Sequence, residues 1–167
     1  PTYNEEGNIK FLIKELINLD IKYEIEVIVV DDNSKDGTAE IVRLFSKKEK
    51  NIRLLNRLDR FGLSSAIKEG CINASNEIIA IMDTDGQHKV EDVINAAEKL
   101  FSENLDVVIG SRFALGASIK GLSQDREKGS KIANKFAKYS LSRNYKNISD
   151  LMTGCFVLKR KSCIDFL

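Results

Sequence analysis

The sequence contains one histidine, His88, and three cysteines, Cys71, Cys155 and Cys163. A single imidazole with no cysteine at metal-ligand spacing cannot build a zinc site. An odd, scattered set of thiols gives no disulfide framework and points to a reducing, cytosol-facing compartment. Charge of one sign is missing too: 26 Lys and Arg against 25 Asp and Glu leave a net +1, so bulk charge does not select nucleic acid as a partner. No apolar run approaches the length of a membrane span, and no signal-peptide pattern is present. Internal repeats, low-complexity tracts and linkers are also absent. What is present suits one domain with a real core: 167 residues, 43% hydrophobic and 31% charged. The chain begins at Pro1 without Met and stops at Phe166-Leu167 in a helical pattern, which reads as a fragment of a longer protein, cut after a first strand.

Two apolar runs end in acids. Glu26-Val27-Ile28-Val29-Val30 leads into Asp31-Asp32-Asn33-Ser34, and Ile78-Ile79-Ala80-Ile81-Met82 leads into Asp83-Thr84-Asp85-Gly86-Gln87-His88. Each reads as a buried strand that carries carboxylates out of its end. In open α/β sheets, ligands bind beyond the carboxyl ends of the strands. Four acids gathered there repel one another unless a cation neutralises them, so the pattern points to a divalent metal and a phosphorylated ligand.

Between these runs the spacing alternates. Helices are expected from Asn4 through Ile17, after Thr38, over about 62–74 and over 90–101; strands are expected at 25–30, 52–55, 77–82, 106–109 and 155–158. That alternation predicts an α/β fold with a mostly parallel central sheet flanked by helices. The rhythm then breaks into a Gly- and Ser-containing loop over 113–122 and a Lys-rich helix over 126–142.

Asp83-Thr84-Asp85 is an Asp-x-Asp at a strand end. Such a pair suits Mg²⁺ or Mn²⁺, with Gln87 offering a neutral oxygen and a ligand's phosphate oxygens completing the shell. Asp31 and Asp32 can accept from base N–H groups or ribose hydroxyls, or cap the following turn. Tyr3 can pack on a base and Glu5 can hydrogen-bond it; a plain helix N-terminus also carries such acids. Arg112 follows another strand end and has the donor fork that suits phosphate. Arg126, Lys128, Lys131, Lys135 and Lys138 form either a solvated helix face or a face for an anionic acceptor or lipid surface. Asp150 can orient a cation, act as a base or cap a turn.

Taken in order, Pro-Thr-Tyr-Asn-Glu-Glu at 1–6, Val-Val-Asp-Asp-Asn-Ser-Lys-Asp-Gly-Thr at 29–38 and Gly-Leu-Ser-Ser-Ala at 62–66 resemble glycosyltransferase family 2, which has the GT-A fold (Rossmann-like). So do Met-Asp-Thr-Asp-Gly-Gln-His at 82–88, Gly-Ser-Arg at 110–112 and Asp-Leu-Met-Thr-Gly at 150–154. Within that family the chain is most similar to the polyprenyl-phosphate glycosyltransferases of the dolichol-phosphate mannose synthase group. The resemblance implies a single catalytic domain over 1–167, with 1–112 binding the nucleotide-sugar and 113–167 on the acceptor side. It implies that Pro1, Tyr3, Glu5, Val30, Asp31, Asp32, Asp83, Thr84, Asp85 and Arg112 bind the donor. Asp83, Asp85 and Gln87 would hold Mg²⁺ or Mn²⁺, and Asp85, Arg112, Arg126 and Asp150 would serve catalysis.

The implied reaction is an inverting transfer of a hexose, mannose from GDP-mannose, to a polyprenyl or dolichyl phosphate at the cytosolic face of a membrane. A phosphate nucleophile is already anionic near neutral pH, which accounts for the absence of a Ser/His or Cys/His arrangement. Three positions depart from the family pattern: Thr84 stands where Ala is frequent, Gly86 where Leu is common, and Lys138 where relatives can carry an Arg. Two other readings compete. One is a family 2 transferase with a soluble or polysaccharide acceptor. The other is a receiver-type phosphoacceptor domain, which shares the doubly wound pattern but needs a strand-end Lys not found here.

Overall fold

The structure, a computed structural model, describes residues 1–59, 62–86, 88–111, 150 and 153–164. Gln87, Arg112, Arg126, the 113–122 loop and the 126–142 helix lie outside the described residues.

Five strands and five helices are described: α1 (Glu6–Ile17), β1 (Val27–Asp31), α2 (Thr38–Ser46), β2 (Ile52–Asn56), α3 (Leu63–Asn73), β3 (Ile78–Ile81), α4 (Val90–Ser102), β4 (Val107–Ile109), β5 (Phe156–Lys159) and α5 (Arg160–Ile164). β1 and β2 pair in parallel, with Val27 opposite Ile52 and Asp31 opposite Asn56. β3, β5 and β4 form a second group in that order, β5 running antiparallel to both neighbours. The expected βαβ rhythm therefore holds from β1 to β4, and the last strand is not an appended edge. It enters between β3 and β4 from the opposite end and supplies the pairing that those two parallel-running strands lack. Its central place also puts part of the 113–167 stretch in the same sheet as the 1–112 stretch.

Alternation along the strands puts helices on both faces. Val29 packs with Ile9 and Ile13 of α1, Val42 of α2 and Ile52 of β2. Its neighbour Val30 turns to the other face, where its side chain meets Gly70 of α3. β5 repeats the scheme: Val157 packs with Val93 and Leu100 of α4, while Leu158 packs with Cys71 of α3 and Ile81 of β3. α3 thus lies across one face of both strand groups. The burial of Ile9 and Ile13 four residues apart, and of Val93 and Leu100 seven apart, is the helical period read from the sequence.

Thr2 joins the two groups. Its N–H donates to the Val30 carbonyl (2.8 Å), its carbonyl accepts from the Asp32 N–H (3.0 Å), and its hydroxyl accepts from Thr84 Oγ1 (3.2 Å). The end of β1 and the residues after β3 are therefore fixed beside each other. None of the described helices is long and apolar enough to cross a membrane.

The turn after β1 is tied to the start of α1. Asn4 N–H donates to Ser34 Oγ (2.8 Å), Lys35 N–H to Asn4 Oδ1 (2.8 Å), and Glu5 N–H to Thr38 Oγ1 (2.9 Å). Asp36 accepts from Glu6 N–H and from Thr38 N–H at 3.1 and 3.0 Å. Desolvation alone would raise the Asp36 carboxyl, but these bonds and the Thr38 hydroxyl outweigh it and hold it below its ordinary value. A carboxylate with a lowered folded-state pKa stabilises above the ordinary carboxylate range, and loses that contribution as pH falls through the lowered value. Asp36→Asn is therefore expected to be less stable than the parent at neutral pH. The difference in urea midpoint should close as both proteins are taken to acid.

Candidate active site

The carboxyl ends of β1 and β3 open onto one cleft of about 270 Å³, lined by Pro1, Thr2, Tyr3, Glu5, Asp32, Leu63, Asp83, Thr84 and Asp85. Of the residues expected to bind a donor, Pro1, Tyr3, Glu5, Asp32, Asp83, Thr84 and Asp85 are brought together here. Tyr3 is 55% exposed, so its ring is a free surface at the cleft rather than part of the core. Glu5 sits at the N-terminus of α1 and its Oε2 accepts from Asn8 Nδ2 at 2.8 Å.

Val30 and Asp31 are not among the lining residues. Val30 lies under α3, and Asp31 is fully buried. The Asp31 carboxylate accepts from Ser34 N–H (3.0 Å) and from the Ser34 hydroxyl. Of the two uses open to the acid pair, Asp31 takes the turn cap and Asp32 takes the cleft. Adjacent residues at a strand end point to opposite sides, which separates the two carboxylates.

Asp32 is held on both oxygens. Gly62 N–H donates to Oδ2 (2.8 Å) and Arg57 Nη1 donates to Oδ1 (2.6 Å). The Arg57 side chain is 2% exposed and extends further: Nη1 to the Gly62 carbonyl (3.3 Å), Nη2 to Ser65 Oγ, and Nε 3.1 Å from Glu69 Oε2. That last approach is a charge contact whose angle does not make it a hydrogen bond. Arg57 was not singled out from the sequence. One cation just past a short strand reads as surface, and only the packing of β1 against α3 shows it to be buried. Gly62, at φ +117°, permits the sharp entry into α3 that places its N–H on Asp32.

The pairing with Arg57 sets the chemistry of Asp32. Asp32 already has its cation, and its remaining lone pairs suit N–H or hydroxyl donors. Asp83 and Asp85 line the same cleft from the end of β3. Gly86 follows at φ +74°, a backbone state that a residue carrying a β-carbon adopts only with strain.

Among the described residues no group of three His, Cys, Asp or Glu forms a complete cation site. The donor set nevertheless fits Mg²⁺ or Mn²⁺. Such ions take one or two carboxylates from the protein and further oxygens from a phosphorylated ligand. A soft metal would prefer thiolate, and Cys155 is buried in the α4 core. Burial, with Asp92 and Asp83 nearby, pushes that thiol up to about 11. Asp150 is fully buried and does not line the cleft.

Comparison with known proteins agrees with this geometry. The profile of "Glycosyl transferase family 2" matches residues 1–167. A dolichol-phosphate mannosyltransferase of Pyrococcus furiosus is 32% identical over 161 residues, 96% of this chain and 45% of that protein. The dolichyl-phosphate beta-glucosyltransferase ALG5D of Trichomonas vaginalis is 34% identical over 123 residues, 67% of this chain and 38% of that protein. This chain thus spans less than half the length of these two relatives. Among solved structures, the mannosyltransferase PcManGT of Pyrobaculum calidifontis in complex with GDP-Man and Mn²⁺ superposes with a TM-score of 0.65 at 21% identity. That likeness covers 99% of this chain and 44% of that one, and it establishes the shared GT-A fold. A mixed α/β sheet with acids at adjoining strand ends, and a family match along its whole length, lead to one conclusion: this chain belongs to glycosyl transferase family 2.

Proposed function

We propose that this chain is the donor-binding and catalytic part of an inverting, metal-dependent hexosyltransferase. It transfers mannose from GDP-mannose to a dolichyl or other polyprenyl phosphate. The observation that carries the reading is the shared cleft, where Tyr3, Asp32, Asp83 and Asp85 meet. The names of the relatives support the lipid-phosphate acceptor, and the GDP-Man and Mn²⁺ complex of PcManGT supports the donor and metal.

In this proposal Tyr3 stacks on the base, while Glu5 and the Arg57-anchored Asp32 accept from base N–H groups or ribose hydroxyls. Asp83 and Asp85, with Gln87, hold Mg²⁺ or Mn²⁺. When bound, the ion supplies positive charge to a diphosphate that gains negative charge as it leaves. An oxygen of the acceptor phosphate forms the new bond to the anomeric carbon from the face opposite the diphosphate, whose own bond to that carbon breaks. The acceptor oxygen is already anionic, so no protein base has to remove a proton. Arg112 and Arg126 are assigned to the donor and acceptor phosphates, which repel each other without cations between them. The full burial of Asp150 supports a role in orienting such a cation rather than one as a base. The stretch 113–167 is assigned to the acceptor side, and a membrane surface at the cytosolic face is the place where such a lipid is met.

The test offers the chain labelled GDP-mannose or UDP-glucose with dolichyl phosphate and Mn²⁺. Label from GDP-mannose that partitions into organic solvent supports the proposal. Transfer from UDP-glucose changes the sugar and keeps the acceptor. Label that remains in water on a saccharide acceptor overturns the lipid assignment.

A further inference from the structure

Gly154 lies at the turn that leads into β5, beside the end of β3, and its missing side chain is what makes room for Asp83. A β-carbon built on Gly154 would overlap Asp83 Oδ2 outright and lie 2.5 Å from its Cγ and 2.9 Å from Oδ1. Those three atoms, the nearest ones, all belong to the Asp83 carboxyl group. The backbone does not itself ask for glycine, because positive φ among the described glycines occurs at Gly62 and Gly86. The other crowded glycines differ in kind. Gly37 faces the end of the long Glu6 side chain, which has room to swing away. Gly110 faces Cys155 at 3.2 Å, a distance that a small shift relieves.

We infer that Gly154 is a positioning residue for the metal carboxylate: it seats Asp83 by leaving a cradle only as deep as a bare backbone. Thr153 fixes the turn, its Oγ1 accepting from Cys155 N–H at 3.1 Å. Cys155 is in turn packed in the α4 core. The floor beneath Asp83 is therefore set by the strand inserted between β3 and β4. A methyl group on that floor has one low-cost relief, rotation of the short Asp83 side chain out of its seat. The fold is kept and the carboxylate is displaced, whereas a ligand-bearing group must hold its position closely to bind.

This inference rests on the reading of Asp83 as a metal ligand, and a four-protein cycle separates the two. Free Mn²⁺ is followed by its paramagnetic resonance signal during titration into the chain with GDP present, for the parent, Asp83→Ala, Gly154→Ala and the double variant. Gly154→Ala is expected to bind Mn²⁺ about 10- to 100-fold more weakly, the range seen when a ligand's support is removed. The double variant is expected to bind no more weakly than Asp83→Ala alone, since the clash has no partner once the carboxyl is gone.

Parent-like binding by Gly154→Ala, with Asp83→Ala impaired, overturns the inference and leaves the metal reading standing. Parent-like binding by Asp83→Ala removes both. If Gly154→Ala melts at a lower temperature, Asp83→Ala in the same chain should restore it. A double variant that stays destabilised contradicts a clash confined to Asp83.

Discussion

Asp85→Ala is expected to lower metal-dependent donor turnover by about 10²-fold or more, with the melting temperature unchanged or slightly raised. The residue is exposed in the loop after β3 and belongs to none of the three core clusters. Truncating it forms no cavity, and surface changes of this kind stay within about 0.5 kcal/mol. The cleft holds Glu5, Asp32, Asp83 and Asp85 together, so removing one acid also relieves repulsion among like charges. The same substitution removes one of the two carboxylates assigned to the ion, and with it several kcal/mol of stabilisation of a departing diphosphate. Single-turnover measurement at saturating GDP-mannose and Mn²⁺ checks the rate, and calorimetry checks the fold. Near-parent turnover would mean that the ion is held elsewhere.

Arg57→Met is expected to cost about 3 kcal/mol of stability. One guanidinium stands between two carboxylates, Asp32 and Glu69, and is more buried than either. Removing it takes away the buried guanidinium that both acids contact. Loss of one partner from a buried pair typically costs about 3–5 kcal/mol. The lower figure applies because Glu69 retains 26% exposure of its side chain. For a chain of this size that is a fall of about 6–12 °C in melting temperature. Adding Glu69→Gln should recover part of the loss, because one of the two charges that Arg57 offset is then gone. Nucleotide affinity should also fall, since Asp32 loses the partner that fixes Oδ1. An Arg57→Met protein as stable as the parent would show that solvent satisfies the two acids and that the ion pair is incidental.

These two residues also mark where the sequence was readable and where it was not. Asp85 stands out because a β-branched or apolar run ends abruptly in acids, a local pattern that survives without knowledge of packing. The same rule placed β1 to β4 and their helices, whose spacing is set by burial on one face. Asp31 and Asp32 read alike as letters, and the strand's two-residue period separates them. It buries Asp31 against Ser34 and turns Asp32 to the cleft. That same period puts Val30 under α3. Arg57 was not legible, because its partners come from β1 and α3 rather than from its own strand. The central position of β5 was not legible either. Its pairing with β3 and β4 depends on a chain return across a long stretch, and short apolar runs do not announce their neighbours. Gly154 draws its meaning from that pairing, so it too needed the fold.

The dependence of nucleotide binding on the ion tests the central claim most directly. Isothermal titration of GDP into the parent and into Asp85→Ala, each with Mn²⁺ and with chelator, yields four affinities. The account predicts tight binding for the parent with Mn²⁺ alone and much weaker binding in the other three. Equal GDP affinity in all four would contradict it, because the acids after β3 would then have no part in gripping the diphosphate through a metal.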